Sequence, residues 1–158
     1  MKELFDIMPQ IGTVEWIGLR PEKKAILIEV ENVSVKLLKG LEGDHYKGSR
    51  GIREVTLIQK EHLDTVASIL KKGKIDPSLT RRNIVVSGIN LQALKDQQFS
   101  IGEEVVLETT GMCHPCSRME QNLGAGGYNA MRGHGGITTK VIKEGIIKKG
   151  DVVKLLVL

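Results

Sequence analysis

The two cysteines of the chain stand three residues apart in Thr109-Thr110-Gly111-Met112-Cys113-His114-Pro115-Cys116-Ser117-Arg118-Met119-Glu120. Ser117 and Glu120 have the S-x-x-E spacing of a capping box, which predicts a helix opening at Ser117. With Ser117 as the cap, Cys116 stands at the helix mouth, where free N–H groups and the helix dipole favour an anion. A thiol placed there is held more in the thiolate form, and Arg118 in the first turn adds positive charge. Thiolate is the form that attacks sulfur or binds a soft metal. Cys116 therefore suits a nucleophile, a sulfur carrier or a metal ligand. The plain alternative is that both cysteines are small buried hydrophobes. The cap, Pro115 and Arg118 favour function.

Three chemistries compete for the pair. A thioredoxin-like dithiol should sit early in a βαβ unit, and this C-x-x-C comes late in a strand-rich chain. A structural zinc site needs two more ligands. No second C-x-x-C or paired-histidine motif exists, so His45, His114 or His134 would have to complete the tetrahedron from afar. The third chemistry is one working thiolate, Cys116, with Cys113 as second choice.

Two further stretches carry polar groups suited to an anion. Residues 124–136 are dense in glycine and include Asn129, Arg132 and His134. Packed glycines let backbone N–H groups approach a phosphate or another oxyanion, and a flexible linker would not carry those three polar residues. The Walker pattern and a strand-led G-x-G-x-x-G are both absent, so a nucleotide fold is not indicated. Arg81-Arg82-Asn83 opens an apolar run, and two guanidinium groups there can clamp a phosphate. Strand alternation would point them to opposite faces. Arg53 has the same ambiguity. Asp44 and His45 are adjacent, which alone says little, and His62 reads as an ordinary helix residue.

The elements that must position these residues are mostly strands. Residues 14–19, 25–30, 33–38, 55–58, 84–86, 104–108 and 141–147 read as strands, the last turning at Gly145. Residues 40–45 read as a charged loop that continues through 47–50. Leu63, Val66, Ala67 and Leu70 have helical spacing, so 61–72 is a helix, and 117–123 is a second. Leu91 to Leu94 reads as one helical turn. Two segments, starting at Gly102 and Gly150, share the pattern G-[DE]-x-V-x-L and predict similar turn-to-strand corners. About eight short strands with few helices disfavour a doubly wound sheet. The expected fold is mostly β with helical insertions, a closed or partly open antiparallel β-barrel, with residues 1–158 as one domain.

Composition narrows the function classes. At 158 residues the length suits one core. Aromatics are only 3 %, which argues against a stacking platform for single-stranded nucleic acid. The net charge of +4 is modest and its basic residues are dispersed, so no nucleic-acid partner is expected. No apolar run is long enough to span a membrane, and the start lacks a secretory signal. Free thiols in a reducing, cytoplasmic setting follow as the expectation.

Together these residues resemble the MOSC domain, the family named after the C-terminal domain of molybdenum-cofactor sulfurase. The resemblance runs through Gly40 to Asp44, Arg53 to Ile58, Arg81 to Gly88, Phe99 to Glu120, Asn129 to Gly136 and Gly145 to Asp151. The block T-G-M-C-H-P-C-S-R-M-E is the most specific. The resemblance implies a small stand-alone member with a β-barrel fold. It implies a cysteine that binds the molybdenum of a pterin cofactor (molybdopterin, held stably or in transit) or carries sulfur for metal–sulfur centres. The family cysteine maps to Cys116. Arg81, Arg82, Asn83, Asn129, Arg132 and His134 map to contacts with cofactor phosphate and pterin. Pyridoxal phosphate belongs to a different domain of the longest members and is not expected. The implied partners are a cysteine desulfurase, molybdenum-cofactor proteins or an electron-transfer protein. Some relatives reduce N-hydroxylated compounds, and a reductase of that kind would need a separate electron donor. A non-catalytic anion-binding module remains the alternative from a different class.

Overall fold

The computed structural model describes residues 1–23, 25–46 and 51–157. The loop expected at 47–50 lies outside the described residues. The chain opens with a short helix, α1 (Lys2–Phe5), then β1 (Gly12–Leu19), β2 (Ile28–Glu29), β3 (Asn32–Lys36) and β4 (Gly40–Leu41). β5 (Val55–Gln59) runs directly into α2 (Lys60–Ile69), and a 3₁₀ turn at Pro77–Leu79 leads to β6 (Ile84–Ser87). A second 3₁₀ turn, Leu91–Leu94, precedes β7 (Gln98–Ile101) and β8 (Val105–Met112). Two short helices follow, α3 (Ser117–Leu123) and α4 (Gly127–Met131), then β9 (Ile137–Lys143), β10 (Gly145–Lys148) and β11 (Val152–Leu156).

Seven strands close a barrel in the order β11-β7-β8-β9-β5-β6-β1, with β1 pairing back onto β11. Closure leaves these strands no free edge. Every neighbouring pair in the ring is antiparallel except β5 and β6, which are parallel. The barrel is therefore mixed rather than wholly antiparallel. The reason is local: α2 carries the chain from the end of β5 back to the start of β6, and a parallel pair needs such a crossover. The two-residue β2 flanks β1, and β10, β3 and β4 form a separate three-stranded sheet.

The strands around the site are buried on both faces, which is why they read as continuous apolar runs rather than as alternations. Leu57, Ile84 and Val86 join the barrel interior with Phe99, Ile101 and Leu107. Their neighbours Ile58 and Val85 face outward into a second core with Leu63 and Val66 of α2, Met119 and Leu123 of α3, and Met131 of α4. β1 serves both cores through a bulge. The register slips between Val14 and Trp16, so Val14 and Ile17 both point inward while Trp16 packs outward. The three-stranded sheet supplies Val33, Val35, Leu41 and Ile147 to the interior cluster.

The two G-[DE]-x-V-x-L segments do form adjoining corners. The Gly102 N–H donates to the Val152 carbonyl at 2.9 Å, and the Asp151 carboxylate accepts from the Lys148 N–H at 2.8 Å. The strand expected at 25–30 shrinks to β2, both of whose residues are exposed. Of that segment Leu27 is buried in a core and Val30 is only partly buried against one, so little apolar burial holds it in a sheet. Among the described residues, no helix is long and apolar enough to cross a membrane.

Candidate functional site

Cys116 and Cys113 occupy opposite environments. Cys116 is exposed and is itself the N-cap of α3, with extended backbone (φ −120°, ψ 175°). Its carbonyl accepts the first helical bond from the Met119 N–H at 2.9 Å, and its thiol makes no capping bond. Cys113 is buried, 2 % exposed. Its backbone N–H donates to Gly136 O at 2.8 Å, and its sulfur accepts from Arg53 Nη2 at 3.7 Å.

The expected capping box does not form. Helix α3 begins one residue after Cys116, so Ser117 is inside it rather than its cap. The Glu120 carboxylate turns outward and accepts from the N–H groups of Gly126 and Tyr128, at 2.9 and 3.0 Å. Those donors belong to the start of α4, where N–H groups have no partner within the helix. The two backbone hydrogen bonds hold the Glu120 carboxyl below its ordinary pKa range.

Arg82 ties the cysteine segment to the glycine-rich segment. Its side chain is buried, and its guanidinium donates to four carbonyls: Gly135 at 2.8 Å, Thr80 at 2.8 Å, Cys113 at 3.2 Å and His114 at 3.3 Å. Close approach of the two segments requires glycine. A Cβ on Gly135 would collide with the Cys113 carbonyl, and one on Gly136, at φ 86°, with the Leu57 carbonyl. Asn83 is consumed in the same way. Its carbonyl oxygen accepts from the Thr56 N–H (3.2 Å) and hydroxyl (3.1 Å), and its amide donates to Gly18 O at 3.1 Å. These bonds lace β5, β6 and β1 together at the point where Arg81 and Arg82 enter.

Arg81 differs from its neighbour. It holds a left-handed backbone, φ 64°, which costs on the order of 1–3 kcal/mol for a non-glycine residue. Its guanidinium makes no hydrogen bond among the described residues. Burial first, then the positive charge of Arg20, pushes its pKa down; the charge at Cys116 opposes this, and Arg118 and Arg82 add to it. Arg82 is likewise pushed down by burial, against the charges of Cys113 and Cys116. The structure thus brings Arg81 and Arg82 into electrostatic range of Cys116, and Arg20 and Arg118 into range of Arg81, with Arg53 on Cys113.

Arg20 carries no local sequence signal. It lies at the end of β1, and only the pairing of β1 with β6 sets it near Arg81. Its backbone N–H donates to Asp44 Oδ1 at 2.8 Å, and its Nη2 lies 3.7 Å from Asp44 Oδ2. The Asp44 side chain is 1 % exposed. Asp44 therefore docks the loop after β4 onto β1 rather than pairing with His45, whose N–H donates to the Arg20 carbonyl at 2.7 Å.

The other sequence candidates make close contacts of their own. Arg132 Nη1 bonds the Asn129 side chain at 3.4 Å, both exposed on α4 and its end. His134 Nδ1 lies 3.0 Å from the Ala130 carbonyl, and its ring meets His62 edge-on at 5.3 Å. Arg118 Nη1 donates to Gln121 Oε1 at 3.2 Å. Among the described residues, no three His, Cys, Asp or Glu side chains are grouped to hold a metal ion by themselves.

The histidine pair gives a pH dependence. Burial, then the charge of His134, depresses the His62 pKa below its ordinary 6.5, against the pull of Glu61. The unfolded chain therefore takes up this proton first as pH falls. The contribution is present above that ordinary value and is lost as pH falls through and below it. The expected result is a melting temperature that declines from about pH 7 to about pH 5, with a shallower decline in His62→Gln, followed by thermal circular dichroism. Equal slopes in the two proteins would remove His62 as a source.

Comparison with known proteins agrees with the fold. The family model described as MOSC domain matches residues 44–154. No curated protein matches significantly. Among solved structures, the YuaD protein of Bacillus subtilis superposes with a TM-score of 0.79 at 17 % identity, covering 93 % of this chain and 97 % of that one. YiiM of Escherichia coli gives 0.68 at 17 % identity, covering 92 % and 70 %. YiiM of Geobacillus stearothermophilus gives 0.71 at 15 %, covering 94 % and 76 %. At these identities the likeness to solved structures is one of fold.

Proposed function

We propose, since the chain belongs to the MOSC domain family, that it carries sulfur on Cys116 for the assembly of metal–sulfur centres. The observation that supports this reading is an exposed thiol set among guanidinium groups, while the second thiol is buried. Positive charge near the sulfur favours the thiolate and steadies the negative charge of a persulfide formed on it. Exposure lets a donor and an acceptor reach it in turn. The fold supplies the rigidity, because Arg82 pins the carbonyls of Cys113 and His114 immediately before the working residue. A cysteine desulfurase is the proposed donor and a molybdenum-cofactor protein the proposed acceptor.

The charge distribution favours a second reading, direct binding of the molybdenum cofactor. Among the described residues, Arg20 with Asp44 is the sole ion pair made by any arginine. The donor set fits the group: Cys116 is a soft ligand for molybdenum, and Arg81 and Arg118 suit a pterin phosphate. When bound, the cofactor would supply two-electron chemistry such as reduction of an N-hydroxylated compound, with electrons from a separate donor protein. If Cys116 proves inert, the same cations describe an anion-binding module.

Intact-mass spectrometry of the protein from its native host, with molybdenum and pterin assays, tests these readings. A carrier shows a mass gain of one sulfur atom that dithiothreitol removes and Cys116→Ser abolishes. A cofactor protein shows molybdenum and pterin that fall together in Cys116→Ser. Sulfur and molybdenum contents unmoved by that substitution overturn both.

A further inference from the structure

We infer that His62 and His134 form a two-histidine site for a transition-metal dication of the zinc, nickel or copper(II) class. Neither side chain takes part in the function proposed above, and the inference stands independently of it. The two rings meet edge-on, with centroids 5.3 Å apart and planes at 71°. Two imidazoles bound through nitrogen to one tetrahedral ion, at about 2.0–2.1 Å per bond, have their centroids roughly 5 Å apart. The pair already stands at the spacing that a shared ion requires.

The hydrogen bonding leaves ring nitrogens to spare. His134 Nδ1 lies 3.0 Å from the Ala130 carbonyl. A carbonyl only accepts, so Nδ1 carries the proton and Nε2 keeps its lone pair. A backbone carbonyl on the second ring nitrogen is the usual outer support of a metal-bound histidine. His62 Nδ1 is buried and has no hydrogen-bond partner among the described residues, so the fold has not spent it. Both residues are half-buried, which leaves part of each open to solvent.

The fold also holds the two rings together. His62 belongs to α2 and His134 follows α4, and these helices share a core through Leu63, Val66, Ala130 and Met131. The His134 N–H donates to the Met131 carbonyl at 2.8 Å, and the carbonyl of the next residue, Gly135, is held by Arg82. The negative charge of Glu61 is felt at His62 and favours a cation there. Among the described residues no third His, Cys, Asp or Glu joins the pair, so water fills the remaining positions and the ion exchanges freely. Imidazole suits zinc, nickel and copper, whereas magnesium takes oxygen ligands.

The test titrates nickel chloride into the full chain by calorimetry, in the Cys116→Ser form to remove the exposed thiol as a competing ligand. The expected result is one nickel ion per chain and a melting temperature that rises with nickel but not with equal magnesium. His62→Gln and His134→Gln should each weaken binding about a hundredfold, the loss of one arm of a chelate. The double variant His45→Gln/His114→Gln, which removes the other two histidines, should bind nickel as before. Circular dichroism without metal checks that each variant folds. Copper(II) electron paramagnetic resonance on the Cys116→Ser chain needs no histidine variant, and coupling to two imidazole nitrogens is expected. Coupling to one or none overturns the site. Nickel binding that survives the loss of either His62 or His134, or that falls with His45 and His114, overturns it as well. An absence of nickel binding leaves the rings as an aromatic contact only and has the same consequence.

Discussion

Arg82→Met is expected to melt about 10 °C below the parent chain, because it removes a buried side chain that bonds both the cysteine segment and the glycine-rich segment. Four carbonyls lose their donor, and those of Gly135, Thr80 and Cys113 bond it where it is buried. An unsatisfied buried acceptor costs about 1–3 kcal/mol. Methionine also removes the desolvation cost of a buried cation, which offsets part of that loss. The net is about 3–5 kcal/mol, the usual cost of breaking a buried charge-assisted network. At roughly 2–4 °C per kcal/mol for a chain of this size, the shift is near the value given. Arg82→Lys should recover only part of it, since one ammonium cannot follow the four directions of the guanidinium fork. Calorimetry on the three proteins decides the matter. An unchanged melting temperature in Arg82→Met would mean that the glycine segment holds the cysteine segment unaided.

This role explains which parts of the site were legible in the sequence. Arg81-Arg82-Asn83 is visible as a polar group at a strand mouth, but strand alternation does not tell which member is spent on the fold. The structure spends Arg82 and Asn83 on backbone and threonine partners and leaves Arg81. The deciding partners lie at Gly135, Cys113 and Thr56, and no local pattern names them. Arg20 was illegible for the same reason, because β1 meets β6 only through a non-local pairing. The barrel itself was easier to read. β5 and β6 are short runs rich in β-branched residues, and Thr56 is the one polar residue at their fully buried positions. Helix α4 was hidden inside a glycine-rich run, where propensity argues for a loop. Its capping partner Glu120 lies six residues before its N-cap and reads equally well as part of a capping box for α3.

The two cysteines should separate under substitution, and that separation is the sharpest expectation for function. Cys116→Ser replaces an exposed thiol that makes no hydrogen bond in the cap. Its cost in stability should be within about 0.5 kcal/mol, as for surface changes generally. Its effect on sulfur loading should be complete, because a serine hydroxyl forms no persulfide. Cys113→Ala removes a buried sulfur from between the Arg53 contact and the Gly136 hydrogen bond. That leaves a small void and should cost about 1–2 kcal/mol, by the same reasoning as other small core truncations. Loading of Cys116 should persist in it. Iodoacetamide should label one thiol in the native parent, that of Cys116, and a second only after denaturation, since alkylation needs access to the sulfur. Labelling, sulfur loading and thermal melting on the two variants together read the assignment. Loading that survives in Cys116→Ser and vanishes in Cys113→Ala would transfer the working role to the buried thiol. Arg53, whose Nη2 already touches that sulfur, would then become the cation beside the nucleophile.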